Sequence, residues 1–270
     1  MKKPSRLLLL TGLIFGLLLA VGCITKSISE PRSVHLTLGN LSNASTINAN
    51  NYLLQKPQYS LSYNNDKGIP NWVSWQLNKS WMGDAPRQND FRPDDTLPAG
   101  WYRVKPTDYT NSGYDRGHMT PSEDRTKKVA DNSATFLMTN IIPQAPDNNQ
   151  GPWARLESYC RDLVKKEGKE LYIISGGYGT KGTINGKVSV PANTWKVIVV
   201  LDRPGQGVRG ITTSTRVIAV NMPNSNGIRA VNWKTYRTTV RQIESKTRYN
   251  FLSNVPIAVQ NAIETRVDAL

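Results

Sequence analysis

The side chains with the most chemical potential fall in two short clusters. The first is Tyr114-Asp115-Arg116-Gly117-His118-Met119. The second starts at Asn140-Ile141-Ile142-Pro143-Gln144 and runs through Asn148-Asn149-Gln150-Gly151-Pro152-Trp153-Ala154-Arg155-Leu156-Glu157 to Arg161. A neutral imidazole accepts a proton near neutral pH. Arginine presents a permanently charged fork that matches phosphate oxygens. An asparagine carbonyl is a hard ligand suited to Mg²⁺, which keeps several of its waters, and a nearby carboxylate can hold those waters. Phosphodiester hydrolysis needs such a set: an activated water, a cation at the departing 3′ oxygen and positive charge on a pentavalent phosphate.

Each of these residues also has a plain structural explanation. A lone histidine is usually buried and satisfied. Glu157 and Arg161, at i and i+4, would make an ordinary exposed ion pair of little weight. Asn149, three residues before Pro152, would be a loop amide or a cap. Their joint occurrence favours the chemical reading. Gly117 is read as letting the backbone turn tightly, so that Arg116 and His118 address one pocket.

The surrounding pattern gives the elements that would hold these clusters. Pro152 suits the first position of a helix running through Glu167, with Gly168 as its stop. Strands are expected at 59–63 and 72–77, where apolar and polar residues alternate. Further strands are expected at 136–142, 171–175, 187–190, 195–201 and 217–220, and helices near 234–247 and 257–270. Residues 80–113, with Pro86, Pro93, Pro98 and Pro106, read as long surface loops. Without an internal repeat or linker, one mixed α+β domain over 51–270 is the economical arrangement.

Composition bounds the rest. The chain has 270 residues, 38% hydrophobic, with 7 Trp and 11 Tyr, too rich for disorder and too poor for a polytopic membrane protein. Two Cys and two His exclude a disulfide framework, a Cys-rich zinc site and a multi-His metal site. Lys2, Lys3 and Arg6 precede the apolar stretch 7–21, the pattern of a signal peptide over 1–22. Cys23 follows Ala20-Val21-Gly22, so lipidation there is an alternative, although Ala20 stands where a lipobox carries leucine. Residues 23–50 read as a polar tether plus an edge segment leading into the fold, with His35 solvated. Cys160 is read as a small buried side chain with no disulfide partner. The formal charge of +14 includes three positive charges within 1–22, so the chain beyond them carries +11. Such a field attracts polyanions, and a basic soluble protein with no such partner fits it about as well.

At Asp115-Arg116-Gly117-His118, Thr139-Asn140-Ile141-Ile142-Pro143-Gln144, Asn149-Gln150-Gly151 and Trp153-Ala154-Arg155-Leu156-Glu157, the sequence resembles the DNA/RNA non-specific endonucleases of the His-Me finger (ββα-metal) class. It is most similar to the cyanobacterial sugar-non-specific nucleases and more distantly to the secreted Serratia nuclease, over roughly residues 50–260. The resemblance implies a ββα-metal core with a central, mostly antiparallel sheet flanked by helices. It implies His118 as general base, Asn149 as the one direct protein ligand of the metal, and Glu157 as the carboxylate ordering the metal's waters. Arg116 and Arg161 match phosphate-binding arginines, and Asn140 matches a supporting asparagine. Arg87, in Pro86-Arg87-Gln88-Asn89-Asp90-Phe91-Arg92-Pro93, matches the upstream catalytic arginine, with Arg92 as the alternative. One departure is Glu123, where the family pattern has Ala or Gly. A carboxylate there can face solvent, pair with Arg125 or intrude on the pocket.

The expected activity is an exported, Mg²⁺-dependent endonuclease cleaving DNA and RNA to 5′-phosphorylated products, with Mn²⁺ as a substitute ion. It would be secreted or periplasmic in a bacterium, with no stable membrane partner unless Cys23 is lipidated. Indifference to the sugar follows if contacts are mainly to phosphate. A dedicated protein inhibitor would suit so indiscriminate an enzyme. The competing readings are a non-catalytic secreted nucleic-acid binder and a metal-dependent phosphodiesterase acting on small molecules.

Overall fold

The computed structural model describes residue 1 and residues 33–270. The expected signal peptide beyond Met1, Cys23 and the start of the tether lie outside the described residues. Period-two patterning builds a seven-stranded antiparallel sheet in the order β1-β2-β3-β6-β9-β10-β11. Its strands are β1 (Tyr52–Gln55), β2 (Ser60–Asn64), β3 (Ile69–Leu77), β6 (Glu170–Tyr178), β9 (Asn193–Leu201), β10 (Arg216–Pro223) and β11 (Arg237–Thr238). Two small antiparallel pairs accompany it: β4 (Asp115–His118) with β5 (Ile141–Gln144), and β7 (Thr183–Ile184) with β8 (Val188–Ser189). The helices are α1 (Val129–Ala134), the single turn α2 (Pro146–Asn148), α3 (Ala154–Glu167), α4 (Val240–Thr247) and α5 (Ile257–Ile263).

Register explains the layering. Trp75 pairs with Ile173, Ile173 with Ile198 and Ile198 with Ile218, a row across four strands on one face. That face packs on β5 and α3 through Ile141, Ile142, Leu156, Cys160, Leu163 and Val164. The alternate residues Trp195, Val197, Val199 and Leu201 face a second core built with Leu36, Leu38, Leu41, Val240, Ile243 and Phe251. The sheet is therefore covered on both sides. For this reason β2, read as half-buried, is buried at all five positions.

Several sequence expectations change. Much of the segment read as tether is packed: Leu36, Leu38, Leu41 and Ala44 are buried against the sheet. His35 is not solvated. It is 2% exposed, its Nδ1 accepts from the Gln76 amide at 3.2 Å, and its Nε2 contacts the Pro57 carbonyl at 2.9 Å. Of the expected strand at 136–142 only the end pairs, because Met138–Asn140 forms a 3₁₀ turn. The helix expected from Pro152 begins at Ala154, after a wide π-type turn over Asn149–Trp153. Gly168 does end it, in the left-handed conformation at φ 70°. Trp233–Tyr236 is a 3₁₀ turn ahead of α4, which Thr239 caps by accepting from the Gln242 amide, and α5 ends at Ile263. Cys160 is buried as expected, and burial pushes its thiol up to about 12.

Burial, with Arg125 adding to it, lowers the His35 pKa from 6.5 to about 4. The unfolded chain therefore takes up a proton that the folded one refuses. The stability from neutral His35 is present above pH 6.5 and is lost as the pH falls to about 4, on the order of 3 kcal/mol. His35→Gln removes this component. The stability gap between wild type and variant, measured by urea unfolding, is expected to narrow between pH 7 and pH 4.5. A gap independent of pH would contradict this role for His35.

Candidate active site

Strand pairing brings the two sequence clusters together. In the β4/β5 register Arg116 lies opposite Pro143, Gly117 opposite Ile142 and His118 opposite Ile141. Gly117 is thus a strand residue, and its reading as a tight turn is corrected. A Cβ there would overlap Gln144 Oε1 and lie 2.7 Å from the Gln144 Cβ. The glycine is needed for close approach across the pair. Asn140 is fully buried behind the strand end. Its Oδ1 accepts from the Thr120 amide at 3.0 Å, and its Nδ2 donates to the Thr120 and Thr135 carbonyls, both at 2.9 Å. It fixes the chain just after His118 and does not line the cavity.

His118 is held by aromatic rings. Phe136 meets it edge-on at 4.8 Å and Phe91 packs on it at 5.3 Å. The same rings carry the arginines: Arg87 lies 4.9 Å from the centre of Phe136 and Arg116 lies 4.2 Å from that of Phe91. The His118 Nε2 is buried without a hydrogen-bond partner among the described residues. Burial first, then the charges of Arg87 and Arg116, lower the His118 pKa to about 3. Both causes favour the neutral ring. Arg87 also donates to Ser122 Oγ and Asn89 Oδ1. Arg92 is directed elsewhere, to Asp90 and the Ser133 carbonyl, so of the two candidates Arg87 is the one that lines the cavity.

Helix α3 supplies the opposite wall. Leu156, Cys160, Leu163 and Val164 recur at helical spacing and pack on the sheet, which turns Glu157, Ser158 and Arg161 towards His118. The turn before α3 places Asn149. Gly151 lets the Arg229 backbone close on that turn, since a Cβ would sit 2.8 Å from both Arg229 Cα and O. Asn149 Nδ2 donates to Asp115 Oδ2 at 2.9 Å, and Gln150 Nε2 donates to the same oxygen at 2.8 Å. With its amide group tied to Asp115, Asn149 keeps its carbonyl oxygen free of any protein donor among the described residues.

Glu157 is not the solvated helix carboxylate that i,i+4 spacing suggested. Its side chain is 14% exposed, and Oε1 lies 3.2 Å from Nζ of Lys196, itself 1% exposed. Alternation along β9 puts Lys196 on the α3 face beside Ile198 and Val200, and its ammonium sits 4.1 Å over the Trp153 ring. Burial raises the Glu157 pKa, and Lys196 and Arg161 oppose that shift. Arg161 is anchored from below by Asp124, which in turn accepts from Trp75 Nε1 at 2.9 Å. Its partner towards the cavity is Glu123, at 2.5 Å. Arg125, the partner considered from sequence, is buried elsewhere and donates to the Gln58 and Gln76 carbonyls.

Arg87, Arg116, His118, Asn149, Glu157 and Arg161 all line one polar cavity of about 420 Å³. Residues 37–258 match the sequence pattern of the DNA/RNA non-specific endonucleases. A nuclease of Nostoc sp. is 57% identical over 244 residues, covering 89% of this chain and 88% of that one. The chain belongs to the DNA/RNA non-specific endonuclease family. Human mitochondrial endonuclease G is 30% identical, over 75% of this chain and 70% of its own. The fold matches an EndoG chain solved in an EndoG/EndoGI complex with a TM-score of 0.67 at 23% identity, covering 83% of this chain and 91% of that chain. The α+β, ββα-metal architecture expected from the sequence is therefore present, with β4, β5 and α3 as its ββα unit.

Sequence reasoning missed four contributors to this endonuclease site: Asp115, Phe91, Phe136 and Lys196. Asp115 stood inside a quoted motif, and an acid beside two amides was a usable signal. Lys196 carried one too, as a lone cation inside the apolar run 195–201. Lys196→Met is expected to lower the unfolding free energy by about 3 kcal/mol, because it leaves a buried carboxylate uncompensated. Adding Glu157→Gln should return most of that stability without restoring turnover. Equal losses in the single and double variants, followed by denaturant unfolding, would show that the two charges are not coupled.

Proposed function

We propose that this family member is an exported endonuclease that hydrolyses DNA and RNA with His118 as general base and a divalent cation, Mg²⁺ or Mn²⁺, as cofactor. The observation that carries the reading is the placement of His118 between Arg87 and Arg116, facing Asn149 and Glu157 across one polar cavity. Among the described residues no group of three or more His, Cys, Asp or Glu is placed to hold a metal. The residues that fit a cation are Asn149, through the carbonyl its bond to Asp115 leaves free, and Glu157, through water. An oxygen-only set with few protein ligands suits a hard ion that retains its waters.

When bound, the cation supplies positive charge at the departing 3′ oxygen. The protein's own residues account for the remainder. His118 accepts the proton of the attacking water, whose oxygen bonds to phosphorus as the bond to the 3′ oxygen breaks, leaving a 5′-phosphate. Arg87, Arg116 and Arg161 take up the charge that grows on the phosphate oxygens. Every one of these groups addresses phosphate, which supports indifference to sugar and base. Export is inferred from the charged and apolar segment over 1–22, and the basic chain beyond it suits a polyanionic substrate. A protein inhibitor is a fitting partner, given that the matched EndoG structure is described as showing the mechanism of EndoG inhibition.

The test is cleavage of plasmid DNA and of structured RNA, with Mg²⁺, with Mn²⁺ and with excess EDTA. Both substrates should be cut, and chelation should stop the reaction. His118→Ala should lose at least about 10²-fold in turnover, the scale of a general base, while a gel shift in EDTA still detects DNA binding. Near-wild-type cleavage by that variant would overturn the mechanism. Binding without cleavage by wild type in every metal would favour the non-catalytic alternative.

A further inference from the structure

The proposed reaction assigns Arg161 to phosphate, yet both terminal nitrogens of its fork already have protein partners. Nη1 lies 3.3 Å from Asp124 Oδ1, and Nη2 bonds Ser158 Oγ at 3.1 Å and Glu123 Oε2 at 2.5 Å. The two carboxylates differ in kind. Asp124 has a side chain only 2% exposed and is pinned by Trp75 from the sheet, so it belongs to the fixed frame. The Glu123 side chain is 66% exposed and lines the cavity from the short turn Ser122–Asp124. An ion pair that open to water is weak and easily exchanged.

The geometry points to Glu123 as a displaceable stand-in for the scissile phosphate. Its carboxylate occupies the Nη2 position that a phosphate oxygen needs and swings towards solvent when nucleic acid arrives. No bond is made or broken, since one anion replaces another on the same guanidinium. The inference rests on the phosphate role given to Arg161 in the proposed function. Its consequence is a selectivity for polymers. A long nucleic acid brings neighbouring phosphates whose contacts offset the displacement, whereas a lone phosphate or a short 5′-phosphorylated product does not. Glu123 thereby weakens product retention, an effect on binding that leaves the chemical step untouched.

Glu123→Ala and Glu123→Gln test this together, the second keeping the shape and removing the charge. With duplex DNA as substrate, both should lower KM by about two- to fivefold, the range of an exposed ion pair. The change should fall in KM and not in kcat. Inorganic phosphate, titrated by calorimetry and as a competitive inhibitor, should bind both variants more tightly than wild type by a similar factor. The dependence of log KM on log salt should steepen by up to about 0.9, as for one further phosphate contact. Because Glu123 is exposed, both variants should melt with the wild type.

An unchanged or raised KM in both variants would overturn the proposal, the latter by showing that Glu123 supports Arg161. A large fall in kcat at constant KM would overturn it too, by placing Glu123 in the chemistry. Wild-type protein that cuts no nucleic acid would refute the underlying function instead. The phosphate titration would still decide whether Glu123 competes for Arg161.

Discussion

Keeping a histidine uncharged between two arginines is the constraint on which the cavity depends. Phe91 and Phe136 meet it by surrounding the imidazole with ring edges and faces, while their outer surfaces seat Arg116 and Arg87. Burial and the two positive charges act in the same direction, and protonation is driven down to about pH 3. No carboxylate pairs with the ring among the described residues. Orientation comes from packing and from the β4/β5 ladder, which Asn140 braces from behind. In the proposed function this leaves Arg87 and Arg116 as the charges stacked beside the base, which favours phosphate.

The opposite wall solves a different electrostatic problem. Glu157 must be available to the cavity, yet it stands over an apolar sheet, where an unpaired carboxylate would be costly. Lys196 rises from the sheet beneath it, Arg161 stands one helical turn along, and Asp124 closes the row against Trp75. Positive and negative groups alternate from the core outwards, so each buried charge of the row has a partner, and Glu123 at its end is the carboxylate most open to solvent. The row is fixed where it meets the sheet and exchangeable where it meets substrate.

How legible this was from the chain follows the distance over which each feature is determined. The α3 pattern, its Gly168 stop and the residues lining the cavity were readable, because helix periodicity and motif strings are local. Gly117 was singled out correctly and explained wrongly: glycine is needed there because Gln144 presses against it, and that contact spans the gap between the two clusters. His35 and the segment after it looked like tether because their composition is polar, whereas the few apolar residues, Leu36, Leu38 and Leu41, cover a sheet face. Phe91 and Phe136 carried no signal, since nothing local separates a ring that holds a base from one that fills a core. Choosing Arg87 over Arg92 likewise required the fold, because the two sit five residues apart in one irregular loop and only the first turns to the cavity.

The same field that keeps His118 neutral also bears on when it can act. A base with a pKa near 3 is weak, and in the free protein part of that weakness comes from Arg87 and Arg116. In the proposed reaction a phosphate reaching these arginines cancels much of their field at the imidazole, while burial by Phe91 and Phe136 remains. Within that proposal the imidazole gains proton affinity as substrate binds, while the larger cause, burial, is unchanged. Glu123 bears on this effect less directly, since its contact is with Arg161, although its charge also reaches Arg87. The cavity thus separates two uses of arginine. In the proposed function Arg87 and Arg116 couple phosphate binding to the strength of the base, and Arg161 sets how readily a phosphate can enter and leave.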